Sequence, residues 1–347
     1  MSNPISETWP AWLDQQELQS LLKQEMADFR SIQSIRGKWE QNLVRPTYSV
    51  QLQIECAGSK KRCLSFLVKS PHMSPSGRRF PIEGDFSMEL QMYENILPAL
   101  EGLYKAEGQD IRFSVPFLRT RKTRCLLLDN AQSRGYSVAN TPKGLERPAM
   151  EAVLSKLAAY HGGHATLSPS AQKAFQRYVG GTIDPSDTRN SFNVILVGCC
   201  LPNNILNSTD AFGHVKDSLF IDFQAAKYGP AAYDLFSLLL TAPASPKSLH
   251  FDGYLKFYHD QLIANLGLLK YRGRQPTLTD LQLDLLKYGH WAFEVATEIL
   301  PLVLSPFGSG DEDVDDDIVE LFRNPVYSEQ IRELLPWLED RGYFEEE

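Results

Sequence analysis

The spacing of apolar residues changes several times along the chain, and each change marks an element. Between residues 8 and 35, Trp9, Trp12, Leu13, Leu18, Leu21, Leu22 and Met26 share a helical face, which predicts one or two helices, with Pro10 at the start. From Ser49 to Glu55 the pattern becomes a strict alternation, Val50, Leu52 and Ile54 against Gln51, Gln53 and Glu55, as in a half-buried strand. Ala57-Gly58-Ser59-Lys60-Lys61 reads as a turn, and Cys63–Lys69 as a second strand that ends on a lysine. Residues 70–85 are rich in Pro, Gly and Ser and predict a loop. Phe86, Leu90, Tyr93 and Leu97 then form a helical stripe with Glu89 beside it, capped by Asp85 and ended by Pro98. Residues 113–118 and 124–129 predict two more strands, and Asp129–Gly135 a polar connector between two lobes.

In the second half, Met150, Val153, Leu154, Leu157, Ala158 and His161 predict a helix over 147–161, ended by His161-Gly162-Gly163-His164. Two histidines three residues apart could ligate a metal, but no third ligand stands nearby, so a basic helix end is the better reading. Residues 166–190 are polar and turn-rich. An apolar strand from Phe192 to Val197 follows, then a tight loop, Asn204, a further apolar strand, and Asp222 at a strand end. Tyr228-Gly229-Pro230 reads as a turn. Residues 231–240 read as a buried helix, with Asp234 placed to cap it or to hold the preceding loop. Residues 253–268, 277–303 and 326–341 are further helices. The acidic run 311–317 lacks the sixth-position glycine of a calcium loop and reads as solvated.

Composition narrows the function classes. A chain of 347 residues suits two lobes, and 43% hydrophobic with 22% charged residues is an ordinary globular balance. The net charge of −8 speaks against nucleic acid and anionic membranes as partners. No basic stretch followed by an apolar run opens the sequence, and no apolar run is long enough to span a bilayer. Five scattered cysteines, without metal-ligand spacing, point to a reducing cytosol. No internal repeat is evident.

The chemistry sits between residues 197 and 222. Kinase-type phosphotransferases carry a catalytic Asp, a metal-binding Asn five residues on, and a second metal-binding Asp after the next strand. Asn204 and Asp222 occupy the two metal positions, and Cys199 stands where the base belongs. Lys69, at the end of an apolar strand, suits a phosphate contact, and Glu89, 20 residues later, suits its ion-pair partner.

These pieces together resemble the ecdysteroid kinase-like (CHK kinase-like) proteins of insects, relatives of choline kinase and the aminoglycoside phosphotransferases. The resemblance rests on Pro10-Ala11-Trp12-Leu13, Phe86-Ser87-Met88-Glu89-Leu90-Gln91-Met92-Tyr93 and Leu126-Leu127-Leu128-Asp129 before Arg134-Gly135-Tyr136. It continues through Lys156-Leu157-Ala158-Ala159-Tyr160-His161, Pro202-Asn203-Asn204, Ile221-Asp222-Phe223-Gln224 and Tyr233-Asp234-Leu235. It implies an α+β, bilobal, protein-kinase-like fold with a small antiparallel-sheet N-lobe over 1–128, a hinge at 129–137 and a larger, mainly helical C-lobe over 138–347. It further implies ATP and magnesium as cofactors, with Lys69, Glu89 and Asp129 toward the nucleotide and Asn204 and Asp222 toward the metal. The expected acceptor is a hydroxyl of a small apolar alcohol or steroid; no protein partner is indicated.

Three departures shape the expected function. The family writes His-Gly-Asp where this chain has Val197-Gly198-Cys199. Arg45-Pro46-Thr47-Tyr48-Ser49 replaces a glycine-bearing turn over the phosphates, and Pro46 offers no amide. The segment between His161 and Phe192 is only 30 residues, much shorter than in the family. A mostly protonated thiol is a poor base, and a general base is worth roughly 10²–10⁴ in rate. The expectation is therefore a pseudokinase with Cys199 at the base position. A weak or divergent kinase and a non-nucleotide interaction scaffold are the alternatives.

Overall fold

The computed structural model describes residues 13–40, 47–70, 84–139, 143–179, 182–183, 192–305 and 321–345. The sequence readings on Trp9 to Trp12, on Arg45-Pro46, on most of the 70–85 loop and on the acidic run lie outside the described residues. The chain forms two compact units, the first from Met1–Arg79 with Val115–Arg134, the second from Phe80–Ser114 with Gly135–Glu347.

The first unit is helix α1 (Gln15–Glu25) on a five-stranded antiparallel sheet of β1 (Phe29–Glu40), β2 (Thr47–Cys56), β3 (Lys60–Lys69), β4 (Phe117–Arg119) and β5 (Leu126–Asp129). The strand order is β1-β2-β3-β5-β4. Asp14 caps α1 by accepting the amides of Gln16 and Glu17 at 2.9 and 3.2 Å. The apolar side of the helix, Leu18 and Leu22, packs with Leu13 into a core with Val50, Leu52, Ile54, Val68, Cys125 and Leu127. Each such aliphatic side chain contributes roughly 1.5–3 kcal/mol by leaving water. Lys122 Nζ reaches Asp14 at 2.6 Å, and Glu17 accepts the amide of Thr123 at 3.1 Å. The start of α1 is thereby tied to the turn between β4 and β5.

The sequence predicted helix as far as residue 35, but the chain is extended from Phe29. The register against β2 shifts between Phe29 and Ser31 and again between Ile32 and Ser34. Each bulge inserts one residue, so Phe29, Ile32 and Ile35, three apart as on a helix, pair with β2 as a strand. The β2–β3 hairpin forms as expected, with Gly58 at φ 73° in its turn.

The second unit begins with α2 (Phe86–Gln91), a π turn (Met92–Ile96) and α3 (Leu97–Ala106). Asp85 caps α2 through the amide of Ser87 at 2.7 Å. Pro98 does not end this helix. It falls at the first turn after the π turn, where a residue without an amide is absorbed and the ladder resumes. Two small sheets follow, β6-β8-β9 from β6 (Tyr136–Val138), β8 (Ile205–Thr209) and β9 (Val215–Phe220), and β7-β10 from β7 (Asn193–Ile195) and β10 (Tyr228–Pro230). The predicted turn at 228–230 is thus a short strand, with Tyr228 opposite Ile195.

The helices of this unit are α4 (Arg147–Thr166), α5 (Pro169–Gln176), α6 (Ala232–Thr241), α7 (Lys247–Leu268), α8 (Leu278–Lys287), α9 (Gly289–Glu294), α10 (Leu300–Leu304) and α11 (Pro325–Asp340), with a π turn (Val295–Ile299) between α9 and α10. Helix α4 runs through the glycine pair expected to end it. A Cβ on Gly162 would lie 3.1 Å from Asn265 Cβ, and one on Gly163 would lie 3.3 Å from the Tyr104 ring. These glycines are close-approach surfaces toward α7 and α3, not a stop signal. No described helix is long and apolar enough to cross a membrane.

Candidate functional site

The loop between β7 and β8 is fixed from behind. Leu196 N donates to Lys227 O at 2.7 Å, which sets the end of β7 beside the start of β10. The next two amides, Val197 N and Gly198 N, donate to the Asp234 carboxylate at 2.7 and 3.0 Å. Gly198 has φ +84°, and a Cβ there would stand 2.1 Å from Ala225 O, so only glycine fits. Asp234, on the first turn of α6, is buried and receives a third bond from His161 Nε2 at 3.1 Å. His161 Nδ1 in turn meets Tyr258 Oη at 2.7 Å. A buried carboxylate with three donors is satisfied rather than stranded. Asp234 therefore holds the loop, one of the two roles read from sequence. His161 was read as part of a helix end and is instead a buried brace. Its polar ring on an otherwise apolar helical face was the available signal.

Within that loop Cys199 is fully buried. Its carbonyl accepts Asn204 Nδ2 at 3.2 Å, across the five-residue spacing noted above. The neighbouring Cys200 thiol is pushed well above its ordinary range by burial and by the Asp234 charge. Pro202–Asn204 makes a 3-10 turn, β8 starts at Ile205, and Ile205 pairs with Phe220 at the end of β9. Ile221 N donates to Asn204 O at 2.9 Å. Asn204 and Asp222 thus flank the base of one hairpin, and both are buried. Asp222 has φ +66°, a left-handed conformation that costs free energy unless its surroundings enforce it.

Glu89, a helix residue of the kind that usually faces water, is completely buried. Its Oε1 accepts the amide of Phe223, the residue after Asp222, at 3.3 Å. The second unit therefore brings Glu89, Cys199, Asn204 and Asp222 into one region. Lys69 and Asp129 belong to the first unit. Lys69 is buried at the end of β3, opposite Leu126. Asp129 ends β5, gives its amide to Pro116 O at 2.8 Å, and forms an ion pair with Arg134 at 3.3 Å.

Magnesium takes oxygen donors, keeps several waters, and needs only one or two protein ligands beside a phosphate. The donor set here suits it. Asn204 spends its Nδ2 on Cys199 O, which leaves Oδ1 for a cation, and Asp222 adds a carboxylate at the same hairpin base. Among the described residues no group of three or more His, Cys, Asp or Glu is arranged around a metal position. Burial, with His161 alongside, lowers the His164 pKa to about 3, and neither of its ring nitrogens has a hydrogen-bond partner among the described residues.

Comparison with known proteins places the chain in context. The sequence model of the ecdysteroid kinase-like family matches residues 45–191 and 172–271. No curated protein matches the chain. Among solved structures, the GDP complex of wild-type aminoglycoside 2'-phosphotransferase-IIIa is similar at 13% identity and a TM-score of 0.39, over 95% of this chain and 99% of that one. The macrolide 2'-phosphotransferase MphH from Brachybacterium faecium, an apoenzyme, is similar at 12% identity and a TM-score of 0.37, over 85% and 99%. A choline/ethanolamine kinase family protein from Mesorhizobium loti is similar at 9% identity and a TM-score of 0.33, over 86% and 92%.

Proposed function

Because the chain belongs to the ecdysteroid kinase-like family, with its protein-kinase-like α+β fold, we propose that it is a nucleotide-binding pseudokinase of that family. In this reading Asn204 and Asp222 hold magnesium, Lys69 and Asp129 are the nucleotide contacts of the first unit, and Cys199 fills the seat of the catalytic aspartate. When bound, magnesium–ATP brings the transferable phosphoryl group and most of the charge stabilisation.

One observation carries the reading. The loop keeps the amide-to-carbonyl bond from Asn204 to residue 199, while the side chain at 199 is a wholly buried thiol. This bond supports reading Asn204 as placed for a metal, with the proton acceptor missing from residue 199. A thiol accepts a hydroxyl proton far less readily than a carboxylate does. Five cysteines, none bonded to another, fit a reducing cytosol as its setting. The ligand on the acceptor side is an apolar alcohol of the steroid kind.

The test uses thermal shift and ADP release on the full chain. ATP raises the melting temperature only with magnesium, and Asp222→Ala removes the effect. ADP release stimulated by an apolar alcohol is near background and rises on the order of a hundredfold in Cys199→Asp. A second reading, a weak kinase, is favoured by the intact bracing of the loop by Asp234. It predicts measurable wild-type turnover that Asn204→Ala lowers. Wild-type turnover unchanged by Cys199→Asp refutes the loss-of-base account, and no ATP shift at all leaves a non-nucleotide scaffold.

A further inference from the structure

The last residues of the second unit enclose space that the loop and hairpin do not use. A cavity of about 900 Å³ lies between the end of α8, the helix α9 and residues 342–345. Its walls are fixed. Tyr343 is buried, with its ring edge-on to Phe236 at 5.2 Å and to Trp337 at 6.4 Å. Tyr343 O stands 2.2 Å from where a Cβ of residue 289 would be, so this close approach needs Gly289. Gly342, at φ +74°, turns the chain, and Phe344 packs edge-on to Phe293 with centroids 5.4 Å apart and planes at 88°. Arg341 holds the approach to this turn, with its guanidinium 4.9 Å from the Trp337 ring and a bond to Asp252 at 3.0 Å.

The lining has two kinds of surface. Leu286 and Phe293, each 46% exposed or close to it, and Phe344 supply the apolar part. His290 and Glu294, one helical turn apart on α9, supply the polar part. His290 Nε2 meets Tyr233 Oη at 3.2 Å, and Trp291 Nε1 donates to Tyr233 O at 3.1 Å. The polar part thus adjoins the residue before Asp234. His290 Nδ1 and the Glu294 carboxyl have no hydrogen-bond partner among the described residues. Partial burial lifts the Glu294 carboxyl above its ordinary range. Cavities of roughly 300–1,000 Å³ with apolar walls and a few convergent polar groups are those that hold small molecules.

The charges of the lining select the class of molecule. Lys287 and Glu345 line the cavity as well. An organic acid would meet Glu294 and Glu345, and an organic amine would meet Lys287. A hydroxyl both donates and accepts, so it can answer Glu294 and either tautomer of His290 at once. We infer that this cavity binds a small apolar alcohol, with its hydrocarbon body on Phe293 and Phe344 and its hydroxyl between His290 and Glu294. The inference rests on the reading of the ligand as an apolar alcohol and gives that ligand a place; it does not require bound nucleotide.

The experiment titrates androstanol, its methyl ether and the corresponding amine into the full chain and follows tryptophan fluorescence, to which Trp291 on α9 contributes. The alcohol should bind saturably, and the ether, which cannot donate to Glu294, about tenfold more weakly. Phe293→Ser should weaken alcohol and ether alike by about tenfold. Phe344→Ser, on the facing wall, should do the same. Glu294→Leu should bring the alcohol down to the ether, a loss of preference that a general disturbance of the helix would not produce. Alcohol binding that survives in both serine variants overturns this placement and keeps the alcohol reading. Equal binding of alcohol and ether by the native chain, or tighter binding of the amine, overturns the assignment of the class. No alcohol binding by the native chain removes the site and the alcohol reading together, whereas alcohol binding without a magnesium–ATP shift supports the site and removes only the nucleotide.

Discussion

Asp234→Asn tests how far one carboxylate holds the site together. Asp234 accepts Val197 N at 2.7 Å, Gly198 N at 3.0 Å and His161 Nε2 at 3.1 Å, all out of contact with water. The amide keeps one oxygen but turns an NH₂ toward a donor, so at least one of the three is left facing another donor. Hydrogen bonds to a charged group are worth roughly 1.5–3 kcal/mol each, and breaking a buried charged network costs about 3–5 kcal/mol. A local loss of about 3 kcal/mol corresponds to exchange on the order of a hundredfold faster at the amides concerned. Hydrogen–deuterium exchange read on a peptide spanning residues 194–204 should show this, with α7 peptides little changed. Tyr258→Phe removes only the outer bond to His161 and should cost about 1 kcal/mol, with modest acceleration. Native-like protection of Val197 and Gly198 in Asp234→Asn would refute the bracing argument.

Two further outcomes follow from buried groups. Burial, with His161 alongside, holds the folded-state pKa of His164 at about 3 against an ordinary 6.5, so the unfolded chain takes up this proton first as pH falls. The stability it allows is present above about pH 6.5 and is lost toward pH 3, by roughly 5 kcal/mol at about 1.4 kcal/mol per unit. His164→Leu should flatten the stability–pH curve in this window, measured by urea denaturation, and equal slopes would count against it. Gly198→Ala places a Cβ 2.1 Å from Ala225 O at φ +84° and should cost more than about 2 kcal/mol of stability by thermal melting; a change within about 0.5 kcal/mol would show that the loop gives way.

The parts of the molecule that sequence could reveal are those whose cause is local. The alternation in β2, the glycine at φ 73° before β3 and the Asp85 cap each follow from neighbouring residues. That Asn204 and Asp222 flank one hairpin base follows from loop and strand spacing, which is local as well. What escaped detection depended on distant partners. Phe29, Ile32 and Ile35 imitate a helix because two bulges, defined only by pairing with β2, restore them to a strand. Gly162 and Gly163 read as a stop until Asn265 and Tyr104 stand beside them. Glu89 was singled out from sequence as a partner for Lys69, but its bond to an amide 134 residues away is not written in its own neighbours. The same is true of His161, whose acceptor lies 73 residues downstream.

The sheet of the first unit is drawn from two separate stretches of chain, and this sets an order of events during synthesis. Strands β1 to β3 are contiguous and can pair as soon as they emerge. The remaining edge of β3 pairs with Leu126–Asp129, which arrives only after the segment Phe80–Ser114 has been made. Until then the Lys69 strand presents an unpaired edge, and closing so long an intervening loop is slow compared with forming a hairpin. The nascent chain is thus most prone to wrong edge-to-edge pairing, and most dependent on chaperones, between the release of residue 69 and that of residue 129.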